Sequence, residues 1–240
     1  MTLPMAELLL PSSSQITSEE AKLEFRFRFG EDTLFLHQKY MLSDSSALIF
    51  TKIQFYLAKP YLHQSTQNII KATKAYYFVP LAEGESKTQI SMGKVSKNQD
   101  YTHVTFGIGV DSLQNHHGTQ KDALDPLNGM FWTWSQGYVF FKIEGYYFTK
   151  EGERGGFIYH IGGDNCYRTT TLELDTPVQQ DKNTLLYPIN IQLECLFGLY
   201  PNPSILLEIP KDKQKISVMG GLQASQIADN FKKGFCKSVK

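Results

Sequence analysis

Residues 124–145 read LDPLNGMFWTWSQGYVFFKIEG, and this stretch holds both tryptophans of the chain, Trp132 and Trp134. Leu124-Asp125-Pro126 followed by Asn128-Gly129 reads as a turn, because proline fixes φ and Asn-Gly accepts positive φ. Met130, Trp132 and Trp134 then alternate with Phe131, Thr133 and Ser135, so in an extended chain Met130 and both indoles share one face. Ser135-Gln136-Gly137 can turn the backbone. Tyr138 to Glu144 is rich in aromatic and β-branched residues and predicts a strand. In that strand Val139, Phe141 and Ile143 point one way, and Tyr138, Phe140, Lys142 and Glu144 the other. On packing grounds alone, two tryptophans two residues apart are core material, since aromatic side chains bury large areas and dominate β cores.

Outward from this stretch the same period recurs. Lys22 to Phe29 sets Leu23, Phe25, Phe27 and Phe29 against Glu24, Arg26 and Arg28, the pattern of a strand with one buried and one solvated face. Gly30-Glu31-Asp32 can turn it, and Thr33 to His37 can return as a hairpin partner. Leu48 to Ala58 reads as a strand stopped by Pro60. Ala75 to Pro80 and Thr88 to Val95 are shorter candidates. Tyr101 to Val110 alternates, with Val104, Phe106, Ile108 and Val110 on one side and His103, Thr105, Gly107 and Gly109 on the other. Two glycines on one face leave room for a bulky group, such as an aromatic ring, to lie against the strand. Tyr167 to Leu174 and Pro188 to Phe197 add two more strands. Ser225 to Phe235 is the best helix, with Ile227, Ala228, Phe231 and Phe235 gathered on one side. Many short strands with one terminal helix predict an all-β, antiparallel β-sandwich, a single domain with a short C-terminal helix.

The chain has 240 residues, 41% hydrophobic and 20% charged, as in an ordinary globular protein. Lys and Arg number 24, against 24 Asp and Glu. That balance argues against nucleic acid or a polybasic membrane contact as partner. No apolar run approaches the roughly 20 residues of a transmembrane segment. Met1 to Gln15 contains Leu8-Leu9-Leu10 but no Lys or Arg, so no signal peptide is visible. Pro11-Ser12-Ser13-Ser14 reads as a flexible lead-in. The expected organisation is a flexible leader over 1–18 and one sandwich domain over 19–240. Cys166, Cys195 and Cys236 have no CxxC spacing and give no zinc signature. One disulfide plus one thiol, or three buried thiols, both fit.

LDPxxGMFWTWxxGYxFxKxEG resembles the hallmark of the MbnP-like copper-binding proteins of bacteria. Further segments resemble that family in the same order: Ile53 to Leu57, the FGIGVDS run ending at Ser112, FIYHIGG (Phe157 to Gly163, an FxxHxGG pattern) and QIADNF near the C-terminus. The resemblance implies a non-enzymatic, periplasmic or cell-envelope protein that binds a metal ion, copper. In such proteins one tryptophan is oxidised to kynurenine by a di-haem oxidase and joins histidine at the metal. It therefore implies His160, Trp132 and Trp134 as metal-site residues, with no choice between the two tryptophans. It also leads to a histidine in the opening strand, a few residues before a glycine. FRFRFG (Phe25 to Gly30) has Phe27 there, and a phenyl ring cannot coordinate copper.

Other residues carry weaker readings. A histidine on a strand is more often hydrogen-bonded structure than a ligand. For His160 the family pattern brings ligation level with that reading, and imidazole suits copper without excluding zinc or nickel. His116-His117 lies in a polar loop where exposure is the simpler reading, and His37, His63 and His103 show no spacing signal. Asp111, Asp122 and Asp125 read as caps and turns. They leave calcium as an alternative cation, although the DxDxDG spacing is missing. Two other functions stand beside copper binding: a structural or interaction sandwich that has lost its metal, and a glycoside-acting enzyme pairing Glu144 with one of these aspartates.

Overall fold

The computed structural model describes residues 18–42, 44–64, 68–97, 99–198 and 215–237, so all of the expected leader but Ser18 lies outside the described residues. The strands are β1 (Ser18–Phe29), β2 (Asp32–Thr33), β3 (Lys39–Met41), β4 (Ala47–Gln64), β5 (Ile69–Lys71), β6 (Tyr76–Pro80), β7 (Lys87–Ser96) and β8 (Tyr101–Ile108). After a short helix α1 (Ser112–Asn115) follow β9 (Phe131–Thr133), β10 (Gly137–Phe148), β11 (Arg154–Gly162), β12 (Arg168–Glu173), β13 (Val178–Asp181), β14 (Thr184–Gln192) and β15 (Lys215–Val218). Helix α2 (Gly221–Gly234) and β16 (Phe235–Lys237) close the described chain.

These strands form the expected β-sandwich. The smaller sheet runs β13-β14-β1-β2, with β7 also on β1 and β16 on β14. The larger runs β12-β8-β4-β10-β11-β15, with β3, β5 and β6 on β4 and β9 on β10. Pairing is antiparallel except for β1 with β14 and β11 with β15. Alternation on β1 sends Leu23, Phe25, Phe27 and Phe29 into the interior, all buried. Phe25 meets Phe55 of β4 at 5.7 Å and Phe106 of β8 at 6.1 Å between ring centroids, both edge-on. That geometry suits the ring quadrupoles and joins the two sheets. Helix α2 closes the core, with Ala224, Ile227, Ala228 and Phe231 buried along one side. Phe231 stacks on Phe141 of β10 at 4.6 Å and meets Phe55 at 5.7 Å.

Pro60 does not stop β4, which continues to Gln64. The register shifts between Ala58 and Tyr61, and Lys59 has φ of 47°. Proline is tolerated in a strand at such a bulge, where one residue leaves the ladder. The Pro60 carbonyl still accepts from Ala72 N–H at 2.9 Å. The return over Thr33 to His37 is shorter than expected, only Asp32–Thr33. Leu193–Phe197 winds into a 3-10 helix instead of prolonging β14. Glu24 is buried on the outward side of β1 under Arg26 (2.8 Å), Gln89 (2.7 Å) and Lys87 (3.3 Å).

The glycines of Tyr101 to Val110 do make room for rings. A methyl group on Gly107 would collide with Tyr167, and one on Gly109 would lie 2.6 Å from Phe140. These two rings meet edge-on at 6.5 Å. On the same outer side Tyr138 packs against Tyr56 at 5.9 Å and Phe131 at 4.8 Å, and both Tyr138 and Phe140 are as buried as the inward Phe141.

Candidate functional site

The hairpin of β10 and β11 places Lys142 opposite His160 and Glu144 opposite Ile158. Phe157, Tyr159 and Ile161 of β11 enter the core, so period two turns His160 to the outer face. There His160 Nε2 lies 2.7 Å from Glu144 Oε1, and Lys52 Nζ approaches the same oxygen at 3.9 Å. A carboxylate only accepts, so Nε2 carries the ring proton and Nδ1 keeps its lone pair. Burial lowers the His160 pKa, the Glu144 hydrogen bond opposes that, and Lys142 and Lys52 reinforce it. A neutral imidazole oriented by a carboxylate through its second nitrogen is the state in which histidine ligates metals. Burial and Lys52 also lower Lys142, whose ammonium donates to the Gly129 carbonyl at 2.6 Å.

The two tryptophans part company. Trp132 sits within β9, half-buried, and its ring presses on Gly162, where an added methyl would lie 2.7 Å from Cζ3. Gly162 follows His160 by two residues on the same face, roughly 6.6 Å along the strand. Trp134 falls in the turn after β9, so the shared face expected for both indoles is lost one residue early. It is 70% exposed, and its ring lies over Gly118. Phe27, at the position of the expected histidine, is fully buried in the smaller sheet, on the core side and away from the outer face that carries His160.

A second polar cluster gathers around Asp164. His116 Nε2 is 3.0 Å from Asp164 Oδ2, Asn115 donates to Oδ1 at 3.0 Å, and Ser112 donates to Oδ2 at 2.5 Å. Burial acts to raise Asp164, but these three donors hold its carboxyl below the usual carboxylate range. Asn115 is buried and also accepts from Tyr138 N–H at 2.8 Å. The cluster ties the His116-His117 loop to the end of β11, beside the segment that carries Trp134. Reading by motif named Glu144 only as a glycosidase carboxylate, not as the partner of His160, and passed over Asp164, because the pairing of each depends on register and loop closure. The one local cue for Asp164 is its place directly after Gly162-Gly163.

Two of the three loop aspartates have structural partners. Asp125 accepts from Leu127 N–H at 2.9 Å, capping the 3-10 turn Pro126–Asn128. Asp111 pairs with Lys59 at 2.9 Å and accepts from the Tyr76 hydroxyl. Among the described residues no three His, Cys, Asp or Glu side chains gather closely enough to hold a metal. Nor is any helix among them long and apolar enough to cross a membrane.

Fold and site together define a class: a two-sheet β-sandwich whose larger sheet carries an aromatic and histidine face outside the core. The chain belongs to the MbnP family, whose model, described simply as MbnP, matches residues 18–219. Among solved structures it is similar to MbnP from Methylosinus trichosporium, with a TM-score of 0.51 over 86% of this chain and 82% of that one. At 14% identity this is a likeness of fold. No curated protein matches the chain.

Proposed function

We propose that this chain is a non-enzymatic, copper-binding protein of the cell envelope, with His160 as a ligand and Trp132 as the indole presented to the same face. The observation that carries the reading is the Glu144–His160 pair at 2.7 Å, which leaves Nδ1 of a neutral imidazole on the face where Trp132 lies against Gly162. The donors fit copper in part. One oriented imidazole is present, and an intact indole is not a ligand. Oxidation of Trp132 to kynurenine would add an aniline nitrogen and a carbonyl beside His160, the donors that a single histidine lacks. That modification needs an external oxidant, in the resembled proteins a di-haem enzyme. Trp134, over the His116-His117 loop, is the alternative target.

The test is copper affinity and peptide mass mapping on protein produced in its native host. We expect kynurenine at Trp132 and at least a tenfold loss of affinity in His160→Ala, with His116→Ala and His117→Ala close to wild type. Unchanged affinity in His160→Ala with a large loss in either of the others moves the site to the loop around Asp164. A second reading rests on Phe27, buried where a ligand would be expected: the sandwich persists and the metal is gone. Two intact tryptophans in natively produced protein, with copper binding that His160→Ala leaves unaltered, would establish it.

A further inference from the structure

Away from the hairpin of β10 and β11, the register of β4 and β8 sets His63 directly opposite His103. Glu173 of β12 is the next residue in the row, opposite His103. Directly opposed residues of antiparallel strands stand on one face. The neighbours Leu62 and Val104 are fully buried, so this row lies on the outer face of the larger sheet, with His103 exposed and His63 half-buried. No core packing requires an imidazole at either position. The ring centroids are 6.1 Å apart. Imidazole nitrogen binds first-row metals at about 2.0–2.1 Å, which places two coordinated rings roughly 5–6.5 Å apart between tetrahedral and linear arrangements. The observed spacing falls in that window before any metal is added.

Among the described residues, each ring is hydrogen-bonded through one nitrogen. His63 Nε2 is 2.7 Å from Thr105 Oγ1, and Thr105 is buried and 2.7 Å from Thr171 Oγ1. The Tyr61 ring packs against His63 at 5.0 Å. His103 uses Nδ1, 3.0 Å from Thr102 Oγ1. Hydroxyl groups therefore orient both imidazoles and leave His63 Nδ1 and His103 Nε2 for a ligand, as the outer partners of metal-bound histidines do. Glu173 is engaged by Lys237 at 2.9 Å and adds negative charge beside the pair without completing a three-residue cluster.

We propose that His63 and His103 form a two-imidazole site for a late first-row divalent metal, its remaining positions filled by water. Copper(II) binds there more tightly than nickel(II) or zinc(II), following the usual order for nitrogen donors. The site is separate from that of His160. Lys142, the register partner of His160, faces Gln54 of β4, nine residues before His63 and roughly 30 Å along an extended strand. It needs no modified tryptophan, so recombinant protein with intact indoles suffices to test it.

The experiment titrates copper(II) and zinc(II) into recombinant full-length wild type, His160→Ala, His63→Ala and His103→Ala. Histidine ring proton signals are followed at substoichiometric copper(II). We expect His160→Ala to keep this binding, each of the other variants to lose at least tenfold in affinity, and paramagnetic broadening to strike His63 and His103 together. His103 is exposed, so His103→Ala should keep the wild-type fold, and circular dichroism checks this. Affinity in His103→Ala within twofold of wild type, or broadening that spares both rings, overturns the proposal. Failure of the His160 reading shows separately, as unaltered binding by natively produced His160→Ala.

Discussion

His160 is half-buried on the outer face of the larger sheet, with Nε2 2.7 Å from Glu144 Oε1. The FIYHIGG motif selects it among six histidines, but its partner Glu144 lies sixteen residues back, and only the β10–β11 register brings the two together. The same register leaves Lys142 and Lys52 near the ring, and burial together with these ammonium groups outweighs the carboxylate to lower its pKa. In the folded protein the imidazole should therefore titrate below its ordinary value of about 6.5. The folded state favours the neutral ring, so the associated stability is present above that value and is lost as pH falls through the lowered folded value. An NMR pH titration of the His160 ring checks this. Glu144→Gln keeps an acceptor but removes the charge, and should move the midpoint lower still, whereas Lys142→Ala should move it up. A wild-type midpoint at or above 6.5 would contradict the reading. Trp134 shows where residue-level reading fails. Alternation places it with Trp132, yet the turn claims it one residue early, and nothing local distinguishes the last strand residue from the first turn residue.

At the level of elements, strict alternation was legible and interruptions were not. β1 and β8 lie where their period-two patterns put them, because one face of each is buried and a slip by one residue would invert every side chain. Pro60 misled because proline ends a ladder only where its N–H is needed. At the bulge it is not needed, and β4 runs on to carry His63 to its place beside His103. Helix α2 was legible from the spacing of Ile227, Ala228 and Phe231. What spacing cannot say is that its buried side fills the gap between two sheets instead of lying on the outside of one. Phe231 touches Phe55, Phe141 and Phe235. Phe231→Ala should cost about 3–5 kcal/mol, the usual range for a fully buried aromatic ring. Leu222, 77% exposed on the same helix, should change stability by less than about 0.5 kcal/mol when replaced by alanine. Urea unfolding of the two variants measures both. Equal, small effects would mean that α2 merely rests on the sandwich.

Across the whole molecule, the pairing of distant segments determines how the chain comes apart. β1 is sandwiched between β7 and β14, so the smaller sheet needs residues from both ends of the sequence. β4 pairs with β6 from its own half and also with β8 and β10. The larger sheet is thus interleaved across the stretch between Val95 and Asp125, and neither side of it holds a complete sheet. Phe25, Phe55, Phe106 and Phe235 meet in one aromatic cluster drawn from four such segments. Opening one sheet exposes the other, which is the physical condition for all-or-none unfolding. We therefore expect one cooperative transition, with fluorescence and circular dichroism curves superimposing. Limited proteolysis should leave the paired strands from β1 onward as one stable remainder, since residues held in a sheet ladder resist cutting. Early cleavage between Val95 and Asp125 that released two halves, each with its own unfolding transition, would show that the sheets are separable. The sandwich would then consist of two domains sharing a boundary, and the cross-sheet aromatic contacts would be contributing little to stability.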